Sequence, residues 1–279
     1  MTASREESSK DLPIGVFDSG IGGLTVVRAL VSELPHEDLI YLGDTARVPY
    51  GTRSAETVIR YARGCASLLS AQGLKMLVVA CNTVSAVAID MLRVELDVPV
   101  IGVIEPGAGA AVAASKTGRI GVIGTKGTVN SGAYPRAVAA VDTRAEVVAA
   151  PAPLLVPLAE EGWTEGDVPR LAAMRYLEPL CATSIDTLLL GCTHYPLLRS
   201  TIEDALRALT PSKVTVVDSA TAVAHAVAKL LRERRRASSR ESVGRLKFFA
   251  TDAPEAFRTV GSRFLGLDID HVELVDIVA

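Results

Sequence analysis

Two cysteines, Cys81 and Cys192, stand in similar sequence contexts and could perform acid–base chemistry as a pair. Cys81 lies in VVACNTVSA (78–86) and Cys192 in LLLGCTHYP (188–196). Each follows a short apolar run typical of a buried strand and precedes short polar residues and a helical pattern. A thiol that faces the start of a helix lies where a thiolate is electrostatically favoured. The two copies therefore predict matched acid and base groups on either side of one ligand.

Polar residues after two other predicted strands are further candidates for the same site. Asp18 and Ser19 open the segment DSGIGG, and the loop GDTARVPYG offers the hydroxyl of Tyr50 and the backbone of Gly51. An aspartate at a strand end can act as an acid or base, or can cap the following helix. The glycines let the backbone approach an anion, but the G-x-G-G spacing fits a dinucleotide motif poorly. We interpret Asp18 as a site acid or base, or as a hydrogen-bond partner to one.

The residues that follow the two cysteines differ between the copies. Asn82 and Thr83 can cap a helix, or can bind a carboxylate and an ammonium group. His194 lies two residues after Cys192, so its imidazole can polarise that thiol or relay protons. A Cys-x-His pair could also be half of a metal site. The first copy has no imidazole and no second cysteine, which argues against zinc.

The composition is typical of a globular enzyme. The chain has 279 residues, of which 49% are hydrophobic, and its formal net charge of -3 gives no general attraction to nucleic acid or anionic membrane. Cysteines without paired spacing predict reduced thiols in a cytoplasmic protein, with Cys65 and Cys181 buried and inert. The Arg-rich run at 232–242 is predicted to be a solvated helix end and surface loop. No apolar run has the roughly 18 residues that a membrane span requires.

Short β-type runs alternate with helical patterns throughout, which favours parallel sheets covered by helices on both faces. Apolar residues recur at helical spacing in residues 24–34 and again in residues 58–69. The predicted strands are the runs at 14–17, 39–42, 76–80, 98–103, 119–124, 146–150, 187–191, 213–217 and 246–250, with an alternating tail at 271–278.

The chain also repeats itself. PIGVFDSGIGGLTV (13–26) resembles RIGVIGTKGTVN (119–130), and VPYG (48–51) is echoed by VPLAEEG (156–162), each ahead of one cysteine segment. We therefore predict an α/β fold of two pseudo-symmetric lobes, each with a mostly parallel sheet flanked by helices, and an active site in the cleft between them. The predicted division is a disordered lead-in at 1–13, a first lobe at 14–98 plus 212–279, and a second lobe at 99–211.

Four motifs together identify a family resemblance: DSGIGGLTV, YLGDTARVPYG, ACNTVSA and GCTHYPLL. From residue 14 to about residue 220, the chain resembles the glutamate racemases of the cofactor-independent aspartate/glutamate racemase family. The resemblance implies an isomerase that interconverts L- and D-glutamate at Cα without a cofactor or metal, and that supplies D-glutamate for peptidoglycan synthesis in the cytoplasm. It also implies a homodimer with no membrane or direct nucleic-acid partner.

The resemblance assigns roles to the candidate residues. Cys81 would act on D-glutamate and Cys192 on L-glutamate, one as thiolate base and the other as thiol acid. Asp18 would assist proton handling beside Cys81, and His194 would do so beside Cys192. Glu160, in the second copy, would lie near the cleft. The implied substrate contacts are Asp18, Ser19, Tyr50, Gly51, Asn82, Thr83, Thr193 and His194.

Three alternatives stay open from the sequence. The substrate could be aspartate or another acidic amino acid. The enzyme could be a thiol hydrolase that uses Cys192 and His194, in which case Cys81 would be dispensable. The chain could also bind and inhibit DNA gyrase, a property reported for some members of the family.

Overall fold

The structure, a computed structural model, describes residues 10–277. Ten strands and twelve α-helices alternate along this part of the chain. Up to residue 114 the elements are β1 (Ile14–Asp18), α1 (Leu24–Glu33), β2 (Leu39–Gly43), α2 (Ala55–Ser70), β3 (Met76–Val79), α3 (Asn82–Val87), α4 (Ile89–Glu95), β4 (Val100–Gly102) and α5 (Ile104–Ala114). The remainder are β5 (Arg119–Gly124), α6 (Lys126–Asn130), α7 (Ala133–Val141), β6 (Glu146–Pro151), α8 (Leu155–Glu161), α9 (Asp167–Cys181), β7 (Thr187–Gly191), α10 (Arg199–Leu209), β8 (Thr215–Asp218), α11 (Ser219–Glu233), β9 (Leu246–Ala250), α12 (Pro254–Leu265) and β10 (Glu273–Leu274).

The strands form two parallel sheets that share one internal order. The first sheet runs β10-β9-β2-β1-β3-β4, and the second runs β6-β5-β7-β8. In each sheet the first strand of the repeat lies between the second and the third, so β1 and β5 occupy equivalent positions. The predicted α/β fold with two pseudo-symmetric lobes is confirmed.

Burial explains why the sequence signal for these strands is strong. Every residue of β1, β2, β3 and β7 is buried, whereas the edge strands β6 and β8 are partly exposed. A parallel strand covered on both faces needs a continuous apolar run, and each of the nine predicted runs forms a strand. The alternating tail forms only the two-residue β10, because this edge element pairs with β9 alone. Residue 278 of that predicted tail lies outside the described residues.

Two strands lie in the lobe opposite to the one predicted. β4 pairs with β3 in the first sheet, and β8 pairs with β7 in the second. The predicted lobe boundaries, after residue 98 and after residue 211, therefore each lie one strand too early in the chain. In both sheets the fourth parallel strand satisfies the hydrogen bonds along the open edge of the third, so the repeating unit contains four strands.

A buried ion pair between Lys75 and Glu37 lies beside the starts of β2 and β3. Lys75 Nζ also donates to the carbonyl oxygens of Lys10 at 2.7 Å and Arg236 at 3.2 Å. The backbone N–H of Ser238 donates to Glu37 Oε1 at 2.7 Å. The Arg-rich run is therefore anchored to the first lobe in its middle, and is not the fully solvated loop that the sequence predicted.

Two smaller predictions also need correction. Residues 10–13 of the predicted disordered lead-in contact the first lobe, since Pro13 O accepts a hydrogen bond from the backbone N–H of Lys75 at 3.0 Å. Residues 1–9 lie outside the described part of the chain. Cys65 is buried in α2 as predicted, whereas Cys181 is only partly buried because α9 ends at that residue. Within residues 10–277 no helix has the length and apolar character needed to cross a bilayer.

The ion pair generates a stability prediction. Replacing Glu37 by alanine leaves the buried Lys75 ammonium without its carboxylate, which should cost about 3–5 kcal/mol in the free energy of unfolding. Urea denaturation followed by circular dichroism measures this loss. Glu95→Ala, which breaks the exposed pair with Arg63, is the matched control and should change stability little. A similarly small effect of Glu37→Ala would refute the anchoring role.

Candidate active site

The carboxyl ends of the central strands of both sheets open into one cavity of about 360 Å³. Parallel α/β sheets bind ligands at this edge. The first lobe contributes Cys81 just beyond β3, and the second contributes Cys192 directly after β7. The cavity wall includes all ten predicted site residues: Asp18, Ser19, Tyr50, Gly51, Cys81, Asn82, Thr83, Cys192, Thr193 and His194.

Cys81 is a protonated thiol in this arrangement. Its side chain is buried, and its Sγ lies 3.5 Å from Ser19 Oγ. Burial, together with the negative charge of the nearby Asp18, raises the pKa of Cys81 to about 12. The group therefore holds its proton at neutral pH and can act as an acid.

Asp18, the last residue of β1, has one carboxylate oxygen bound and one without a protein partner. Oδ2 accepts a hydrogen bond from the backbone N–H of Gly23 at 3.0 Å, while Oδ1 is buried with no partner among the described residues. Burial raises the pKa of this carboxyl group. A Cβ at position 23 would lie 2.6 Å from Asp18 Cβ, so only glycine allows this approach. Asp18 Oδ1 is thus available to a ligand or a proton.

Cys192 and His194 form the opposite side of the cavity with Glu160. Cys192 Sγ lies 3.8 Å from His194 Nδ1, and His194 Nε2 lies 2.9 Å from Glu160 Oε1. Burial by itself would lower the pKa of His194. The interactions with Cys192 and Glu160 outweigh burial and raise that pKa to about 10. At neutral pH the ring is therefore an imidazolium, whose two N–H groups can each donate a hydrogen bond, one to Cys192 and one to Glu160.

Asn82 and Thr83 do not cap α3 with their side chains. Cys81 is the N-cap residue of that helix, and no side chain caps it. Asn82 Oδ1 accepts a hydrogen bond from the Tyr134 hydroxyl at 2.6 Å, and its buried Nδ2 has no partner within residues 10–277. Thr83 Oγ1 lies 3.0 Å from Thr125 Oγ1. Of the two roles that the sequence left open, the geometry favours ligand binding.

The Tyr50 hydroxyl is engaged elsewhere, contrary to the sequence interpretation. It donates to the buried carboxylate of Asp44, which also accepts hydrogen bonds from Arg47 and from Thr251. Burial raises the pKa of Tyr50, and Cys65 and Asp44 raise it further. Tyr50 therefore lines the cavity with a hydroxyl that is already paired with Asp44.

Several wall residues were missed by sequence reasoning. Thr125 and Lys126, at the start of α6, and Pro157 of α8 line the cavity; Glu160, which the resemblance placed near the cleft, lines it as well. The internal repeat contained the signal for Thr125, since it follows β5 as Ser19 follows β1. No comparable pattern indicated Lys126. Within the described residues, no group of three or more His, Cys, Asp or Glu side chains has a metal-binding arrangement.

Two buried thiols, each beside its own ionisable neighbour, line one cavity between the two α/β lobes. The chain belongs to the Asp/Glu/Hydantoin racemase family, whose model matches residues 14–227. It is 49% identical over 266 residues to the glutamate racemase of Geobacter metallireducens, covering 95% of this chain and 97% of that protein.

Solved structures agree with this membership. The Bacillus anthracis glutamate racemase isoform RacE1 superposes with a TM-score of 0.91 at 39% identity, over 96% of this chain and 98% of that one. The Francisella tularensis glutamate racemase in complex with D-glutamate gives 0.89 at 38% identity, with the same coverage. The predicted family and the predicted activity class, an amino-acid racemase, are confirmed.

The His194–Glu160 contact generates a prediction about protonation. Glu160→Gln keeps the shape of the side chain but removes its charge, so the pKa of His194 should fall by about one unit or more. A nuclear magnetic resonance titration of the imidazole protons measures this pKa. The chain has only four histidines, so comparison with His194→Asn assigns the signal. The exposed neighbour Glu161→Gln is the control, and an unchanged titration in Glu160→Gln would rule out the proposed charge coupling.

Proposed function

We propose that this chain is a glutamate racemase that interconverts L- and D-glutamate by cofactor-independent two-base proton transfer at Cα. Two thiols, one from each lobe, line the same cavity, and this arrangement is the main support for the proposal. The relatives named above are glutamate racemases, and one of them binds D-glutamate in its crystal. Both findings support glutamate as the substrate in preference to aspartate.

Inversion at a carbon atom requires one group to remove the proton and another to deliver a proton to the opposite face. A single base would return the proton to the side from which it came. Cys81 and Cys192 fulfil the two roles, with base and acid exchanged according to the direction of reaction. In one turnover one thiolate gains a proton and one thiol loses a proton, so the enzyme ends in the form that accepts the opposite enantiomer.

The charges around the two thiols suit one direction of reaction. Cys81 holds its proton, and the imidazolium of His194 lies against Cys192, with Nδ1 3.8 Å from Sγ. This form matches removal of the α-proton of L-glutamate by Cys192 and delivery of a proton by Cys81. His194 and Asp18 then serve to re-equilibrate the two sulfurs with solvent protons.

The wall offers complementary groups for an amino-acid ligand. The unpartnered Asp18 Oδ1 suits the ammonium group, and the unpartnered Asn82 Nδ2 suits a carboxylate. Hydroxyls of Ser19, Thr83 and Thr193 add donors around the reacting carbon. Such fixed donors stabilise the charge that builds on the α-carboxylate as the proton leaves, most strongly once water is excluded.

The broader role follows from the same resemblance. D-glutamate is the product that a bacterial wall peptide requires, so we assign the enzyme to peptidoglycan synthesis in the cytoplasm. The homodimer and the interaction with DNA gyrase stay predictions of the resemblance. The hydrolase alternative has no use for Cys81, whereas this thiol lies in the same cavity as Cys192.

The proposal predicts that the purified enzyme racemises glutamate and strongly prefers it to aspartate. Cys81→Ala and Cys192→Ala should each reduce kcat/KM by about 10³-fold or more, because one face loses its proton donor or acceptor. Chiral chromatography of the products measures both effects. Cys181→Ala, which alters a partly buried thiol away from the cavity, should retain activity. Full racemisation by Cys81→Ala would exclude the two-base reaction.

A further inference from the structure

His194 is a second-lobe residue that is enclosed by first-lobe atoms. The ring of Phe264 in α12 meets the imidazole edge to face, with the centroids 5.2 Å apart and the planes at 78°. On another side, the backbone at Gly22 approaches so closely that a Cβ there would overlap the imidazole. Phe264 is fully buried and His194 is 8% exposed. The imidazole therefore has little freedom to turn while the two lobes are in contact.

The position of α12 is set by the first lobe. Phe257, one of its inner residues, packs its ring 5.9 Å from that of Tyr41 in β2. Gly261 lies so close to α1 that an added Cβ would be 2.8 Å from Leu24 Cδ1. The helix thus extends from the core of one lobe to the active-site histidine of the other.

The residue before Phe264 binds the partner of His194. Arg263 donates from its guanidinium group to the backbone carbonyl of Glu160 at 3.0 Å. Beside this contact, Gly162 ends α8 with φ of 77°, and a Cβ there would overlap the guanidinium group. Consecutive residues of α12 therefore contact both members of the His194–Glu160 pair.

We propose that Phe264 and Arg263 are positioning residues that hold His194 and Glu160 in line with Cys192 when the two lobes are in contact. The proposal rests on the proposed function only for its kinetic consequences. The ring contact and the carbonyl contact reach no reacting atom, so both residues act through the pair that they hold. Contact between the lobes is thereby coupled to proton handling on one side of the cavity.

The groups that decide the charge of His194 come from several elements. Cys192 lies on its own segment, Glu160 on α8 and Asp18 at the end of β1, and the guanidinium of Arg263 lies against the Glu160 backbone. The hydrogen bonds to Cys192 and Glu160 favour the imidazolium and depend on ring orientation. A loosened ring should therefore lose its proton at lower pH.

The test compares two phenylalanines of the same helix. Phe264→Leu removes the ring against His194, and Phe257→Leu removes the ring against Tyr41. We expect Phe264→Leu to lower the titration midpoint of His194 by about 0.5–1 unit and kcat/KM by about threefold to tenfold. Phe257→Leu should leave the midpoint unchanged. Thermal unfolding of both variants separates this effect from a general loss of packing.

Arg263→Ala provides a second test that does not disturb the core, because Arg263 is exposed. It should move the His194 midpoint in the same direction, and Arg263→Lys should restore part of the shift. A wild-type midpoint in both Phe264→Leu and Arg263→Ala, or an equal shift in Phe257→Leu, would overturn the proposal. If the enzyme failed to racemise glutamate, the proposed function would be rejected. The imidazole titration would still test whether Phe264 and Arg263 position His194.

Discussion

In a parallel sheet, the carboxyl ends of the central strands all lie at one edge. The positions of the candidate site residues follow from this constraint. Asp18 and Cys81 reach the cavity from β1 and β3, while Thr125 and Cys192 reach it from β5 and β7. Because both sheets have the same strand order, the two cysteines arise at equivalent positions of two lobes. A pseudo-symmetric scaffold thus places similar thiols on the wall of one cavity, one from each lobe.

The chemistry of the site departs from this symmetry at two positions. In the register of the repeat, Gly124 stands where the first lobe has Asp18, and Thr83 stands where the second lobe has His194. Each thiol therefore has one ionisable neighbour, a buried carboxyl group for Cys81 and an imidazolium for Cys192. These neighbours have opposite effects on a nearby sulfur anion, because a carboxylate repels it and an imidazolium attracts it.

The local part of this arrangement could be predicted from the sequence, since buried strands and the residues at their ends are encoded in short segments. The apolar runs located the central strands, and the doubled cysteine context indicated the cavity. Contacts between distant segments left no such pattern. The Asp44 acceptor of the Tyr50 hydroxyl, the anchoring of the Arg-rich run by Glu37, and the contact of Phe264 with His194 all arise from tertiary packing. The fourth strand of each sheet was assigned to the wrong lobe because its apolar run carries no information about its partner.

In the proposed two-base reaction, each thiol serves one face of the substrate carbon. Enantiomers have equal free energies in water, so any variant must keep equal kcat/KM in both directions, and racemisation rates cannot separate the two thiols. Exchange of the α-hydrogen with D₂O can separate them, when Cys81→Ala and Cys192→Ala are each given a single enantiomer. We expect Cys81→Ala to exchange the α-hydrogen of L-glutamate only and Cys192→Ala that of D-glutamate only, both without inversion. Exchange of both enantiomers by either variant would rule out this division of roles.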